Sequence, residues 1–139
     1  MDAGALETIV SALRVHAGVT AAVVEGCAAL ASIARLHSGR QAAVDAGAPA
    51  AIVAALHAHA GVSEAAVEGS RALASISTLP AGLQAAVDAG APAAIVAAIR
   101  THNGVAEVAD MGCRALVNIS TLPAGEQAVH ATGWRPQPD

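Results

Sequence analysis

Aromatic residues are almost absent from this chain of 139 residues, which has one Trp and neither Phe nor Tyr. An aromatic cage or a base-stacking platform is therefore excluded, and any core consists of Ala, Val, Ile and Leu. Positive charge is also scarce: the seven cationic residues, all Arg, are outnumbered by eleven Asp and Glu, and the net charge is −4. We expect no nucleic-acid partner, because such surfaces depend on dense basic charge.

Long apolar runs are missing as well, although the mean hydropathy is +0.54. Pro49 and Gly61 interrupt the apolar stretch 46–63 before it reaches the roughly 20 residues that a membrane span needs. Asp2 and Glu7 stand where a secretion signal would carry basic and apolar residues. We expect no membrane partner and a cytoplasmic location.

A repeat of 43 residues organises the sequence. Shifting the chain by this length aligns three copies of Asp-Ala-Gly-Ala, at 2–5, 45–48 and 88–91. A fixed period of this size is typical of solenoid proteins, and the length suits one domain. We predict a single repeat domain over residues 1–133 and a C-terminal tail over 134–139. Its three units are 2–44, 45–87 and 88–130.

Each unit carries the start and end signals of three helices. Residues 39–46 predict a short first helix, and Gly47 follows where a left-handed C-terminal cap is expected. Pro49 suits the first turn of a second helix. Apolar residues then recur at helical spacing in a longer third helix. Its middle carries a glycine in every unit, which predicts a close approach of the neighbouring unit's backbone; these glycines are Gly26, Gly69 and Gly112.

Two motifs mark fixed places in the units. Gln-Ala-Ala-Val-Asp-Ala-Gly-Ala-Pro at 84–92 joins a first to a second helix, and Gly-Cys-Arg-Ala-Leu-Val-Asn-Ile at 112–119 lies in a third helix. In register over residues 2–133, they resemble the armadillo repeat more than the related HEAT repeat, because the first helix is short and ends in Asp-Ala-Gly. The resemblance implies an all-α right-handed superhelix of three units.

The chain departs from the armadillo pattern in three ways. It has few units, and its first unit lacks the first helix. The groove tryptophan of the family's third helices is replaced here, by Ala28, Arg71 and Arg114. The family's groove asparagine is kept as Asn118, whereas Ser32 and Ser75 stand in its place in the other units.

The resemblance implies a concave face of third helices that holds an extended peptide or partner segment. The residues that it places there are Ser32, Arg71, Ser75, Arg114 and Asn118. Glu107 and Asp110 add acidic groups nearby, and helical spacing predicts ion pairs of Asp110 with Arg114 and of Glu68 with Arg71. The alternative is an ordinary solvated helix face.

Catalysis and metal binding find no support in the sequence. His16, His59 and His102 recur once per unit, and packed helix layers about 8–10 Å apart keep them from sharing one ion. We expect these imidazoles beside exposed helix carbonyls. Cys27 and Cys113 occupy one repeat position about 20 Å apart, too far for a disulfide, and should be packed thiols. No GxSxG, HExxH, phosphate loop or CxxC is present, so we predict no enzyme and no cofactor.

The ends of the array predict self-association. Ile9, Val10, Leu13 and Val23 are expected to lack a covering layer, because no first helix precedes them. Trp134 is expected to fold over the last apolar layer. Exposed apolar patches usually mark association sites, so a homo-oligomer through Ile9, Val10, Leu13 and Trp134 is expected, either two-fold or head-to-tail.

The sequence thus predicts a non-catalytic protein-interaction module. One rival is a structural block that stacks through its ends, including an engineered or ancestral repeat fragment. Another is an enzyme or ligand-binding protein with a pocket that the sequence does not reveal.

Overall fold

A computed structural model describes residues 3–136 of the chain. The regular structure of these residues is entirely helical. Asp2, the first residue of the first predicted unit, and residues 137–139 of the predicted tail lie outside the described part. The helices are α1 (Ala3–Val15), α2 (Thr20–Ile33), α3 (His37–Asp45), α4 (Ala48–Ala58), α5 (Ser63–Ile76), α6 (Pro80–Asp88), α7 (Ala91–Thr101), α8 (Ala106–Ile119) and α9 (Pro123–Ala131).

Most helices 43 residues apart have matching lengths; α1, one period before α4, is longer, with 13 residues. The long helices α2, α5 and α8 each have 14 residues, and the short helices α3, α6 and α9 each have 9. Between them, α4 and α7 have 11 residues each. This order of short, intermediate and long helix confirms the helical prediction and is compatible with an α-solenoid.

The predicted turn from the first to the second helix is also confirmed, although the short helix α3 spans His37–Asp45 and not 39–46. Gly47 and Gly90 precede α4 and α7 with φ angles of 79° and 82°, in the left-handed region that glycine enters without steric cost. Pro49 and Pro92 lie in the first turns of these helices, where the missing N–H leaves no partner unsatisfied. A positive φ followed by a fixed proline therefore sets the sharp turn from each short helix to the next.

The core is an aliphatic layer between the long helices and the helices that precede them. Helix α5 packs between α2 and α8. Leu30, Leu73 and Leu116 hold one position in these three helices, and all are fully buried. Ile52 of α4 and Ile95 of α7 are fully buried in the same core. Alanine is the most frequent of the other core residues, and further large aliphatic side chains, such as Leu6, Ile76 and Ile119, are fully buried among them.

The mid-helix glycines meet a different neighbour from the one expected. A Cβ built on Gly69 would lie 2.9 Å from Cδ2 of Leu56, in the preceding helix of the same unit. The expectation that a neighbouring unit's backbone approaches there is therefore wrong: a side chain fills the place. Backbone comes close instead at Gly82, where a Cβ would overlap the carbonyl oxygen of Ile76.

The first helix is covered, contrary to the expectation for this end. Val10 and Leu13 are 1% and 3% exposed, Val23 is fully buried, and Ile9 is half-buried. Their burial follows from the packing of α1 on both α2 and α4. The prediction that these residues lack a covering layer is wrong, because the apolar face of α1 turns towards its own unit and the next.

Trp134 covers part of the other end. It is half-buried and packs against the core. With Val117, Ser120 and Val129 it lines an open depression of about 320 Å³. The predicted packing of Trp134 is confirmed, but the cover is incomplete, because Val117 remains 52% exposed.

Candidate functional site

Four of the predicted partner-binding residues meet at the junction of α5 and α8. Arg71 and Ser75 lie one turn apart on α5, and Arg114 and Asn118 lie one turn apart on α8. All four line one open depression of about 170 Å³. We call this depression the α5–α8 groove; its remaining lining residues are Arg40, Ala74, Thr78 and Met111.

The other predicted residues lie outside the lining of this groove. Ser32 is exposed on α2. Glu107 and Asp110 are exposed on α8, and Asp110 reaches the groove only through its contact with Arg114. The structure therefore gathers the predicted residues of the second and third units and separates those of the first.

Both predicted ion pairs are present at the groove. Oε1 of Glu68 lies 3.7 Å from Nη1 of Arg71, and Oδ2 of Asp110 lies 3.7 Å from Nη2 of Arg114. The side chains of Arg71 and Arg114 are 41% and 58% exposed, and solvated pairs of this kind contribute at most about 1 kcal/mol. A guanidinium has several N–H donors, so a ligand carboxylate can bind without displacing a strong bond.

Asn118 holds the two long helices together. Its Nδ2 donates a hydrogen bond of 2.8 Å to the carbonyl oxygen of Ala74, across the junction of α5 and α8. The asparagine is half-buried. The resemblance assigned Asn118 to the peptide; one N–H of its amide bonds within the chain, and an Asn amide has a second N–H and an oxygen for a ligand. Asn118 therefore positions the wall of the groove.

Arg40 is a groove residue that sequence reasoning missed. Its Nε donates to the carbonyl oxygen of Ala34 at 2.7 Å, and its Nη2 donates to that of Arg35 at 3.0 Å. These bonds satisfy carbonyls at the C-terminal end of α2, where positive charge is favoured. One signal existed, since the equivalent positions hold Leu83 and Glu126. Three arginines from three helices thus surround one depression.

The two thiols are free, as predicted. Cys27 is fully buried between the long helices. Burial, with a smaller contribution from the Glu68 carboxylate, raises the pKa of the Cys27 thiol to about 12. Partial burial and Asp110 raise the pKa of the Cys113 thiol, against a hydrogen bond with Trp134 that lowers it. Neither environment favours a thiolate, which is the nucleophilic form.

The repeated histidines join successive units. Nε2 of His59 lies 2.6 Å from the carbonyl oxygen of Ala17, and Nε2 of His102 lies 2.9 Å from that of Ala60. The expectation of helix carbonyls is not met for either histidine, because Ala17 and Ala60 lie in the turns just after α1 and α4. Sequence reasoning missed that each carbonyl belongs to the preceding unit. Within the described residues, no group of three or more His, Cys, Asp or Glu side chains could hold a metal ion.

Over residues 3–136, no single helix is long and apolar enough to cross a membrane. The pair Pro80–Asp88 and Ala91–Thr101, bent by 73°, reaches that length and composition only together. Comparisons with protein-family models, curated proteins and solved structures find nothing that matches this chain.

Proposed function

We propose that the chain is a right-handed armadillo-type solenoid of three units, which acts as a non-catalytic interaction module for an extended protein segment. The 43-residue spacing, the matched helix lengths and the two sequence motifs support this fold. The α5–α8 groove lies between successive long helices, where the resemblance places the binding face.

One observation carries the proposal: Arg40, Arg71 and Arg114 surround a single open depression. Arginine binds carboxylates through paired hydrogen bonds of fixed geometry. The carboxylates that pair with Arg71 and Arg114, those of Glu68 and Asp110, lie at the long distance of 3.7 Å. The groove therefore suits an acidic segment.

The remaining lining sets the shape of the ligand. Ala74 and Met111 are buried apolar residues at the groove, and Ser75 and Thr78 carry hydroxyl groups there. A segment that alternates acidic and small side chains can direct carboxylates to the arginines and rest its backbone on this surface. An extended conformation has the required alternation of side chains.

Fluorescence anisotropy with two labelled peptides of about ten residues tests this function. One peptide alternates Asp with Thr, and its control alternates Lys with Thr. We expect the acidic peptide alone to bind at low ionic strength, with an affinity that falls as salt is added.

Variants then locate the site. Arg114→Gln should weaken binding of the acidic peptide roughly ten-fold, because it removes a charge-assisted hydrogen bond. Arg100→Gln is the matched control, since Arg100 is exposed near the end of α7 and does not line the groove. Circular dichroism should show equal helicity in both. Equal binding of the two peptides, or an unchanged affinity in Arg114→Gln, would contradict the proposal.

A further inference from the structure

Equivalent positions on the three long helices differ in burial, and the difference shows which helix faces are covered by a neighbouring long helix. Positions 65, 72 and 76 of α5 are buried to 1%, 0% and 0% exposure, and the equivalent positions 108, 115 and 119 of α8 are all fully buried. The same positions in α2 are only half-buried, although the residues are apolar. They face the side on which α5 and α8 have a preceding long helix. We call them the leading face, formed by Ala22, Ala29 and Ile33.

The opposite side of α8 shows the complementary gap. Ala31 of α2 and Ala74 of α5 are 5% and 3% exposed, because the next long helix packs on them. Their equivalent in α8, Val117, is 52% exposed. Cys113 and Ser120 are half-buried, whereas their equivalents in the other two units are buried: Cys27 and Ala34, and Ser70 and Ser77. We call Cys113, Val117 and Ser120 the trailing face.

We propose that copies of this chain associate head-to-tail, with the leading face of each copy on the trailing face of the next. The occupant of each face follows from the chain itself, because the α2–α5 and α5–α8 contacts are two finished examples of the same interface. This inference is independent of peptide binding in the α5–α8 groove.

Polar contacts between the units define the register of the second copy. His59 and His102 each contact the carbonyl oxygen 42 residues earlier. Continuing this register brings His16 of the second copy, which is exposed in the single chain, to the carbonyl oxygen of Asn103. The bond from Asn118 to Ala74 spans 44 residues. Its continuation brings Ser32 of the second copy to the carbonyl oxygen of Val117.

Trp134 determines how much of the trailing face is open. It shares a depression with Val117 and Ser120, and it aligns with Ala5 of α1 in the repeat. Arg135 and Pro136 line the same depression, so a docked copy needs Trp134, Arg135 and Pro136 to move aside as α1 takes their place. Association is accordingly weaker than the packing of units within the chain.

Sedimentation analysis of the full chain, from low to high micromolar concentration, tests the proposal. The average mass of the unmodified chain should rise with concentration and pass beyond a dimer, because a head-to-tail contact leaves one face open at each end. Val117→Glu blocks the trailing face. Ser32→Glu blocks the edge of the leading face beside Ile33, where the register places the Val117 carbonyl of the other copy. Each should lower the association constant at least about ten-fold, since a charge is brought against an unpaired surface.

Mixing these two variants separates head-to-tail association from a two-fold dimer. Each variant keeps one intact face, and the intact faces are complementary, so the mixture should form a 1:1 dimer and nothing larger. In a dimer through like faces, one variant would instead associate as well as the unmodified chain. Ser32→Asn should strengthen association about three- to ten-fold, by adding the equivalent of the bond from Asn118.

Val15→Glu is the matched control. Val15 is 72% exposed, and the equivalent residues Ala58 and Thr101 are exposed too, so no unit packs there. This variant should associate like the unmodified chain, and circular dichroism should show full helicity in every variant. A strict monomer at all concentrations, a single variant that still associates fully, or a mixture that stays monomeric would overturn the proposal.

Discussion

The two junctions that α5 makes, with α2 on one side and α8 on the other, differ in surface chemistry more than in packing. The α5–α8 junction has a helix-to-helix hydrogen bond from Asn118 and arginines on both helices. The equivalent positions of α2 hold Ala28 and Ser32. The aliphatic layer beneath continues through both junctions. A few surface residues therefore determine whether a junction only packs two helices together or also forms a candidate binding site.

Removing the side chain that both junctions share should have the largest effect. Leu73 is fully buried in α5, and Leu73→Ala should lower the free energy of unfolding by about 2–5 kcal/mol through lost burial and the remaining cavity. Chemical denaturation measures this change. Leu30→Ala and Leu116→Ala, in the outer long helices, should cost less, because each is packed by one long neighbour. A cost below about 0.5 kcal/mol for Leu73→Ala would contradict the core assignment.

Alkaline pH should lower the free energy of unfolding through the Cys27 thiol of α2, which is buried at the α2–α5 junction. Burial raises the pKa of Cys27 from 9.0 to about 12, so the folded state keeps a proton that the unfolded state loses. Below about pH 9 both states hold this proton, and it contributes no pH dependence. Above pH 9 the free energy of unfolding should fall by up to about 1.4 kcal/mol per pH unit, until the folded thiol ionises near pH 12.

Denaturation at several pH values, for the unmodified chain and two variants, checks this effect. Cys27→Ser should remove most of the alkaline decline; Ser70 occupies the equivalent buried position in α5. Cys113→Ser should remove less, because Cys113 is only half-buried. A decline of the same size in all three proteins would assign it to other groups.

Loss of the helix-to-helix hydrogen bond should weaken the α5–α8 junction. Asn118→Ala removes the donor to the Ala74 carbonyl and should cost about 1 kcal/mol of unfolding free energy. Arg114→Ala, one turn away on the same helix, is the control, since its exposed ion pair should contribute less. If both variants were equally stable, the bond would not hold the junction.

Adding the same bond to the other junction should have the smallest effect. Ser75 stands in α5 where Asn118 stands in α8, and the carbonyl oxygen of Ala31 is the corresponding acceptor. Ser75→Asn should raise the unfolding free energy by about 0.5–1 kcal/mol. The same substitution in an Asn118→Ala background should restore stability without restoring the α5–α8 contact. A destabilised Ser75→Asn protein would mean that the two junctions differ in backbone spacing.

Periodic features were predictable from sequence, and features that depend on a partner helix were not. The Gly47 turn, the Pro49 start and the helical spacing are local, and each reappears in the fold. The neighbours of Gly69 and the burial of Leu13 depend on the orientation in which α1 and α4 pack against the long helices. Glycine signals a close contact in sequence, but it does not identify the atoms on the other side.

The groove illustrates the same limit. Residues one turn apart, such as Arg114 and Asn118, can be assigned to one helix face from spacing alone. Arg40 enters the groove from a short helix, through bonds to the carbonyls that end α2. Its position depends on a turn between two helices, and helical periodicity does not extend across a turn. The internal partner of Asn118 was equally hidden, because its acceptor is a backbone atom 44 residues away.

The register of the histidine contacts fits the insertion of whole 43-residue units. Each imidazole meets a carbonyl 42 residues earlier, so inserting a whole 43-residue block gives every new histidine an acceptor of the same kind. One extra residue inside a long helix would instead rotate everything after it by about 100° and turn apolar side chains towards water. Duplication of a whole unit therefore keeps the packing pattern of the long helices, whereas a single-residue insertion inside one of them disrupts it.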